Sequence, residues 1–262
     1  MAEWRNVFNR AATRILLRPG MNAFHPKPAG ALPVDLPPAM VSWGRMTQDQ
    51  IMNGLLLYAC FIPVLTFHEF AHAWTAWKCG DDTARLQGRI TLNPIAHMEV
   101  LGTVVLPLLG IFLSLSGSAL AGFIIGWGKP VPVNYHNLNH PRRDGTLVAL
   151  AGPAMNVLLA VVFMGWAKVG SMANSEELVK VGLMLTSISL FLAFFNLLPI
   201  PPLDGSHVLK NAIDMSWETY MRLAQYGFVI IIVLLQIPAI RQTLSALTFG
   251  TMALIGRLYG LH

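Results

Sequence analysis

Between residues 51 and 240 the chain is built from long apolar runs, and their lengths decide which solvent it can fold in. A helix rises about 1.5 Å per residue, so a hydrocarbon core about 30 Å thick is crossed by roughly 20 apolar residues. Runs of that order cover residues 51–77, 100–128, 145–167, 181–203 and 223–240. The first is uncharged as far as Phe67 and continues through His68, Glu69 and His72 until Lys78 and Gly80 end it. The second is interrupted by Pro107 and by the small, polar residues 114–118. After Arg241 a further stretch, 242–256, is too short to span comfortably and is expected as a partial element or at the interface. The implied fold class is an all-α polytopic membrane protein of about five to six transmembrane helices, with one re-entrant or broken hydrophobic segment and short loops. Three regions are expected: a Pro-rich, basic and partly disordered amino-terminal tail (1–50), a membrane core (51–214), and a carboxy-terminal transmembrane helix with a short apolar or interfacial segment (215–262).

Composition excludes the other classes. Only 12% of the 262 residues are charged and 54% are apolar, against about 25% and 45–50% in soluble domains. The formal charge of +5 is spread thinly between the apolar runs, which reads as membrane topology and not as a nucleic-acid surface. Cys60 and Cys79 give no disulfide framework. In the tail, Pro19, Pro26, Pro28, Pro33, Pro37 and Pro38 prevent a continuous helix. Its first residues place Trp4, Phe8, Ala11 and Ile15 at helical spacing, which suits a short surface-lying helix or a solvated basic tail. That Arg-rich start resembles an organelle transit sequence, whereas the features of a secretory signal are missing.

A charge inside a membrane segment costs at least about 2.5 kcal/mol, so each one asks for a function. In the first run, His68-Glu69-Phe70-Ala71-His72 is an HExxH pattern. Its histidines, at i and i+4, leave one helical face together and can bind one metal ion, while Glu69 can reach a water there without occupying a coordination position. Satisfied core histidines would be the alternative, but they would leave three polar groups in an apolar helix in need of partners.

At the end of the fourth run, Asn196-Leu197-Leu198-Pro199-Ile200-Pro201-Pro202-Leu203-Asp204-Gly205 cannot remain helical through three prolines. Unwound backbone at membrane depth is tolerated where it lines a protein or water cavity. Asp204 is therefore a candidate third ligand, giving a His, His, Asp set with an open position, as in catalytic zinc sites. A solvated turn is the other reading of Asp204, and His97 and Glu99 are rival third ligands.

These residues resemble the site-2 protease family, intramembrane zinc metalloproteases. HExxH and the Pro-x-Pro-Pro-Leu-Asp-Gly ending carry the resemblance, with Ala151-Gly152-Pro153-Ala154-Met155-Asn156 between them. Segments 88–97 and 126–134 are similar to linkers of its short bacterial subgroup. The resemblance spans residues 51–214 and implies a catalytic membrane core in which His68, His72 and Asp204 hold one Zn2+ and Glu69 is the acid/base. It also implies that Asn156 positions the substrate carbonyl or stabilises its oxyanion; an interhelical hydrogen bond is the rival role. His97 is expected in a supporting or structural part, as are Asn196 and Gly205. No connection has room for a PDZ domain, so recognition falls to membrane segments, the tail or an adaptor protein.

The implied function is hydrolysis of peptide bonds in or near transmembrane segments of membrane-protein substrates in the lipid bilayer. A metal transporter or channel, and a non-catalytic substrate-binding relative, are the alternatives. For the motifs to share a depth, the run 100–128 must begin and end on one side. Lys78, Arg85 and Arg89 flank it before and Lys129, Arg142 and Arg143 after, which places the site toward the cytoplasm of a bacterial inner membrane. The six Lys and Arg of the tail oppose that orientation.

Overall fold

The computed structural model describes residues 48–115 and 126–261, and among these it is helical without strands. Most of the amino-terminal tail expectation, residues 1–47, lies outside the described residues. Eight α-helices follow in order: α1 (Gln48–Lys78), α2 (Thr83–Leu86), α3 (Leu106–Leu115), α4 (Pro141–Met172), α5 (Glu176–Asn196), α6 (Asp204–Ala212), α7 (Trp217–Gln236) and α8 (Pro238–Leu258). Among the described residues, four helical stretches are long and apolar enough to cross a membrane: Ile51–Lys78 within α1, and α4, α5 and α7. The chain is thus an integral membrane protein.

α4 and α5 form the central hairpin, and their ends are marked in the sequence. Pro141 opens α4 where a missing N–H costs nothing, and the Asp144 carboxylate accepts from the His140 backbone N–H (2.7 Å). Asn174, at a left-handed φ of 52°, turns the chain. Ser175 then caps α5 through the Leu178 N–H (3.4 Å), ahead of Glu176 and Glu177 at the positive end of the helix. A Cβ on Gly182 would lie 2.8 Å from the Ala167 backbone nitrogen, so the two helices approach as closely as only small residues allow.

Around the hairpin, Ala160, Met164 and Ala167 pack with Val179, Leu183 and Leu190, and with Met252 and Ile255 of α8. Cys60 and Val64 of α1 pack on Met184, Leu185 and Leu192 of α5. Phe195, Leu203, Ile231 and Leu244 join α5, α7 and α8.

The described ends of the broken run lie side by side. A π-helical turn (Val100–Val105) leads directly into α3. Where the chain is next described, the Trp127 N–H donates to Gly102 O (3.1 Å) and Thr103 Oγ1 donates to Trp127 O (2.8 Å). The two ends of the run therefore meet. Most of the break expected at 114–118 falls in residues 116–125, outside the described residues.

The two carboxy-terminal helices have other bounds than the apolar runs. The run 223–240 is broken at Ile237, which is extended (ψ 116°) because the residue before a proline is driven out of the helical region. The stretch 242–256 is the middle of α8, a 21-residue helix that buries Leu244, Thr248, Met252 and Ile255. The helix runs past both flanking charges, with Arg241 in its first turn and Arg257 in its last, where a cation suits the negative helix end; it is not among the helices long and apolar enough to span.

Candidate active site

The HExxH spacing places His68 and His72 one turn apart on α1, 3% and 7% exposed. Their Nε2 atoms are 3.1 Å apart, and Asp204 Oδ2 lies 3.1 Å from the first and 3.3 Å from the second. Among the described residues this is the one group of His, Cys, Asp or Glu able to hold a metal ion. The carboxylate is delivered as expected, since α5 stops at Asn196, the proline-rich turn carries the chain over, and Asp204 opens α6. Gly205 permits this turn, because a Cβ there would overlap Leu197 O.

Zinc fits these three atoms. Tetrahedral ligands at about 2.0–2.1 Å are about 3.3 Å from one another, close to the separations found here. Buried Asp204 Oδ2 has no donor aimed at it with hydrogen-bond geometry, although two nitrogens lie within 3.3 Å. The atoms converge on a shared point, as ligands of one ion do.

Helix α4 backs both imidazoles. His72 Nδ1 lies 2.7 Å from Val148 O, and because a carbonyl only accepts, Nδ1 carries the proton and Nε2 keeps its lone pair for the centre. His68 Nδ1 meets the amide of Asn156, which is fully buried. Gly152 sits between them; a Cβ there would lie 2.6 Å from His68 Cε1 and Nε2 and closer still to His72 Nε2.

Glu69 is half-buried and lies outside the ligand triangle, under the segment that returns at residue 126. A Cβ on Gly128 would stand 3.3 Å from Glu69 Oε1 and 3.2 Å from Leu65. That segment is pinned at both peptide groups of Lys129: its N–H donates to His97 O (2.8 Å) and its carbonyl accepts from Arg89 Nη2 (2.5 Å). His97 is 1% exposed and its Nε2 donates to Thr91 O (2.8 Å), so it braces the loop and stays out of the ligand set; burial pushes its imidazole down. Glu99 caps the π-helical turn, accepting from Leu101 N (3.3 Å) and Gly102 N (2.7 Å). Asn196 donates to Leu192 O of its own helix (3.0 Å).

Spacing along the chain could not reveal the group that steadies the Asp204 turn. Ser206 Oγ donates to Leu203 O (2.6 Å), which spends its only proton, so the Tyr220 hydroxyl donates to Ser206 (3.1 Å). Tyr220 then accepts from His207 Nε2 (3.0 Å), and His207 Nδ1 accepts from Tyr135 (3.1 Å). This directed chain holds His207 neutral, and burial pushes its imidazole down to about 4. Lys210 Nζ, 4.3 Å from the Tyr135 ring and 5.1 Å from Trp217, closes the same junction.

Residues 164–236 match Peptidase family M50. A zinc metalloprotease by name, YwhC of Bacillus subtilis (strain 168), is 38% identical over 192 residues, covering 70% of this chain and 80% of that protein. This chain belongs to the M50 peptidase family. Rip2 of Mycolicibacterium smegmatis, likewise named as a zinc metalloprotease, is 35% identical over 204 residues, or 74% of this chain and 72% of the relative. No solved structure matches. As an M50 peptidase the protein is a zinc metalloendopeptidase with Zn2+ as cofactor.

Proposed function

We propose that this M50 peptidase hydrolyses peptide bonds in or beside transmembrane segments of other membrane proteins, with His68, His72 and Asp204 as its zinc ligands. The observation that carries the reading is the convergence of three ligand atoms within 4.8 Å from two distant motifs, on helices that cross or border the membrane. Zinc held there supplies Lewis acidity, polarising a carbonyl oxygen and acidifying water. Glu69, beside the ligands and outside their triangle, accepts the proton of the attacking water and passes it to the leaving amide nitrogen. Asn156 lies with one end of its amide against His68 and the other unpartnered; with the oxygen turned to His68, the amide N–H2 is the end that would donate to the carbonyl of the scissile bond. Gly128 and the pinned segment cover Glu69 and keep bulk water from one side. A substrate helix must unwind locally, because its carbonyls are otherwise held in its own hydrogen bonds.

The basic loops support a cytoplasmic site in a bacterial cell membrane: Lys78, Arg85, Arg89, Lys129, Arg142 and Arg143 all lie at the end of the helices that carries the motifs. Substrate choice then rests on membrane segments, the tail or an adaptor. The transporter alternative needs an ionisable path to the far side. The buried charged and histidine side chains among the described residues, His68, His72, Asp81, Arg89, His97, Asp144 and Lys210, gather at the site's end. Buried Thr186 and Ser189 deeper in the bundle donate to their own helix.

The test is cleavage of a transmembrane peptide co-reconstituted in liposomes. Glu69→Gln should lose about 10²–10⁴-fold in rate while retaining zinc. Full activity in that variant, or zinc flux without cleavage in the wild type, would defeat the proposal.

A further inference from the structure

We infer that Asn156 fixes the metal-binding tautomer of His68, its amide oxygen accepting the His68 Nδ1–H. The inference rests on His68 being a zinc ligand and assigns the other half of the amide a task besides substrate binding. Asn156 is fully buried, with Nδ2 3.1 Å from His68 Nδ1 and Oδ1 partnerless. An amide nitrogen only donates, so in that orientation His68 Nδ1 would accept and Nε2 would carry the proton. That proton would point among His72 Nε2 and Asp204 Oδ2, each 3.1 Å away, and leave His68 no lone pair for a cation.

Half a turn about the terminal torsion exchanges oxygen and nitrogen without changing the shape of the side chain. Oδ1 then accepts the Nδ1–H across the same 3.1 Å, Nε2 becomes a ligand, and the amide nitrogen takes the unpartnered place, free to donate elsewhere. The neighbouring histidine shows the same logic with no ambiguity, since Val148 O can only accept from His72 Nδ1. Val148, Gly152 and Asn156 are spaced by four on one face of α4. The first and last supply acceptors to the two imidazoles, and the glycine between them lets the helix come close enough to do so.

Asn156→Asp and Asn156→Leu, similar in size to asparagine, separate the roles. Zinc retention is measured on detergent-purified full-length protein against a graded chelator series, with the visible spectrum of the Co2+-substituted protein reporting ligand geometry and circular dichroism reporting folding. Aspartate keeps the acceptor and loses the donor, so it should hold zinc at least as tightly as the wild type with an unchanged cobalt spectrum. Leucine should weaken retention by about 10–100-fold. If Asp releases zinc faster than the wild type, Asn156 serves His68 as a donor and the inference is overturned, whether or not the Leu variant folds. If folded Asn156→Leu holds zinc as the wild type does, the assignment fails while the zinc site stands. A wild-type protein that binds no zinc overturns both.

Discussion

One methyl group at Gly152 should dismantle the metal site without altering any ligand. In Gly152→Ala the new Cβ would stand 2.6 Å from His68 Cε1 and Nε2, whereas ordinary contact begins at 3.4 Å. The imidazole must therefore retreat by about 0.8 Å, while zinc–ligand distances tolerate about 0.2 Å. Retreat is opposed at the rear of each ring by Asn156 and by Val148 O. If instead α4 backs away, it must leave packing to which α1 and α5 are both fitted. Such overpacking typically costs about 1–3 kcal/mol. The control is Gly250→Ala in α8, where a Cβ meets nothing within 4 Å and the exchange should gain about 0.5–1 kcal/mol from helix propensity. Zinc per chain after dialysis against a chelator, with thermal unfolding alongside, reads both variants. Gly152→Ala should lose its zinc and Gly250→Ala should keep it; equal zinc in both would refute the packing of α4 against the histidines.

Acidification should destabilise the junction at His207. Its folded pKa of about 4 lies below the ordinary 6.5, so below pH 6.5 the unfolded chain binds the proton first. Its contribution is complete above pH 6.5, falls with pH and is gone below about 4, worth at most about 3 kcal/mol. Unfolding temperatures of the wild type and His207→Gln should converge between those limits, and parallel curves would count against the directed chain. Gly227→Ala should also destabilise, by about 1–3 kcal/mol, because its Cβ would overlap Pro201 O and push α7 off the proline-rich turn. An unchanged unfolding temperature would mean that α7 does not pack there. Replacing Arg89 by Met should loosen residues 126–130 over Glu69, because it removes the donor to Lys129 O. Faster amide exchange at those residues is the expected sign, and unchanged exchange would show that Arg89 does not brace them.

What could be read from the chain alone was what local periodicity encodes. Two histidines four apart share a helical face in any helix, and three prolines around residue 200 must interrupt one, so His68, His72 and Asp204 were visible as chemistry before they were neighbours. A shared depth for the motifs requires the run 100–128 to begin and end on one side, and the bond from the Trp127 N–H to Gly102 O joins its two ends. Contacts between distant residues were not legible. Tyr135 and His207 are 72 positions apart and neither sits in a motif with a period. The stretch 242–256 looked short because the two arginines flanking it were counted as boundaries when they occupy the end turns of α8. Arg89 read as a topological charge, yet it is 4% exposed and serves one backbone carbonyl. Asn156 was visible, but its contact with His68 required the α4 face to be laid against α1.

Metal content by mass spectrometry, on wild type beside His68→Ala and Asp204→Ala, tests the central claim most directly. The account predicts about one zinc per wild-type chain, lost or sharply reduced in both variants, because the two motifs build one tetrahedral site with an open position. Zinc retained at the wild-type level in Asp204→Ala would contradict it, since the carboxylate 3.1 Å from His68 and 3.3 Å from His72 would then not be a ligand.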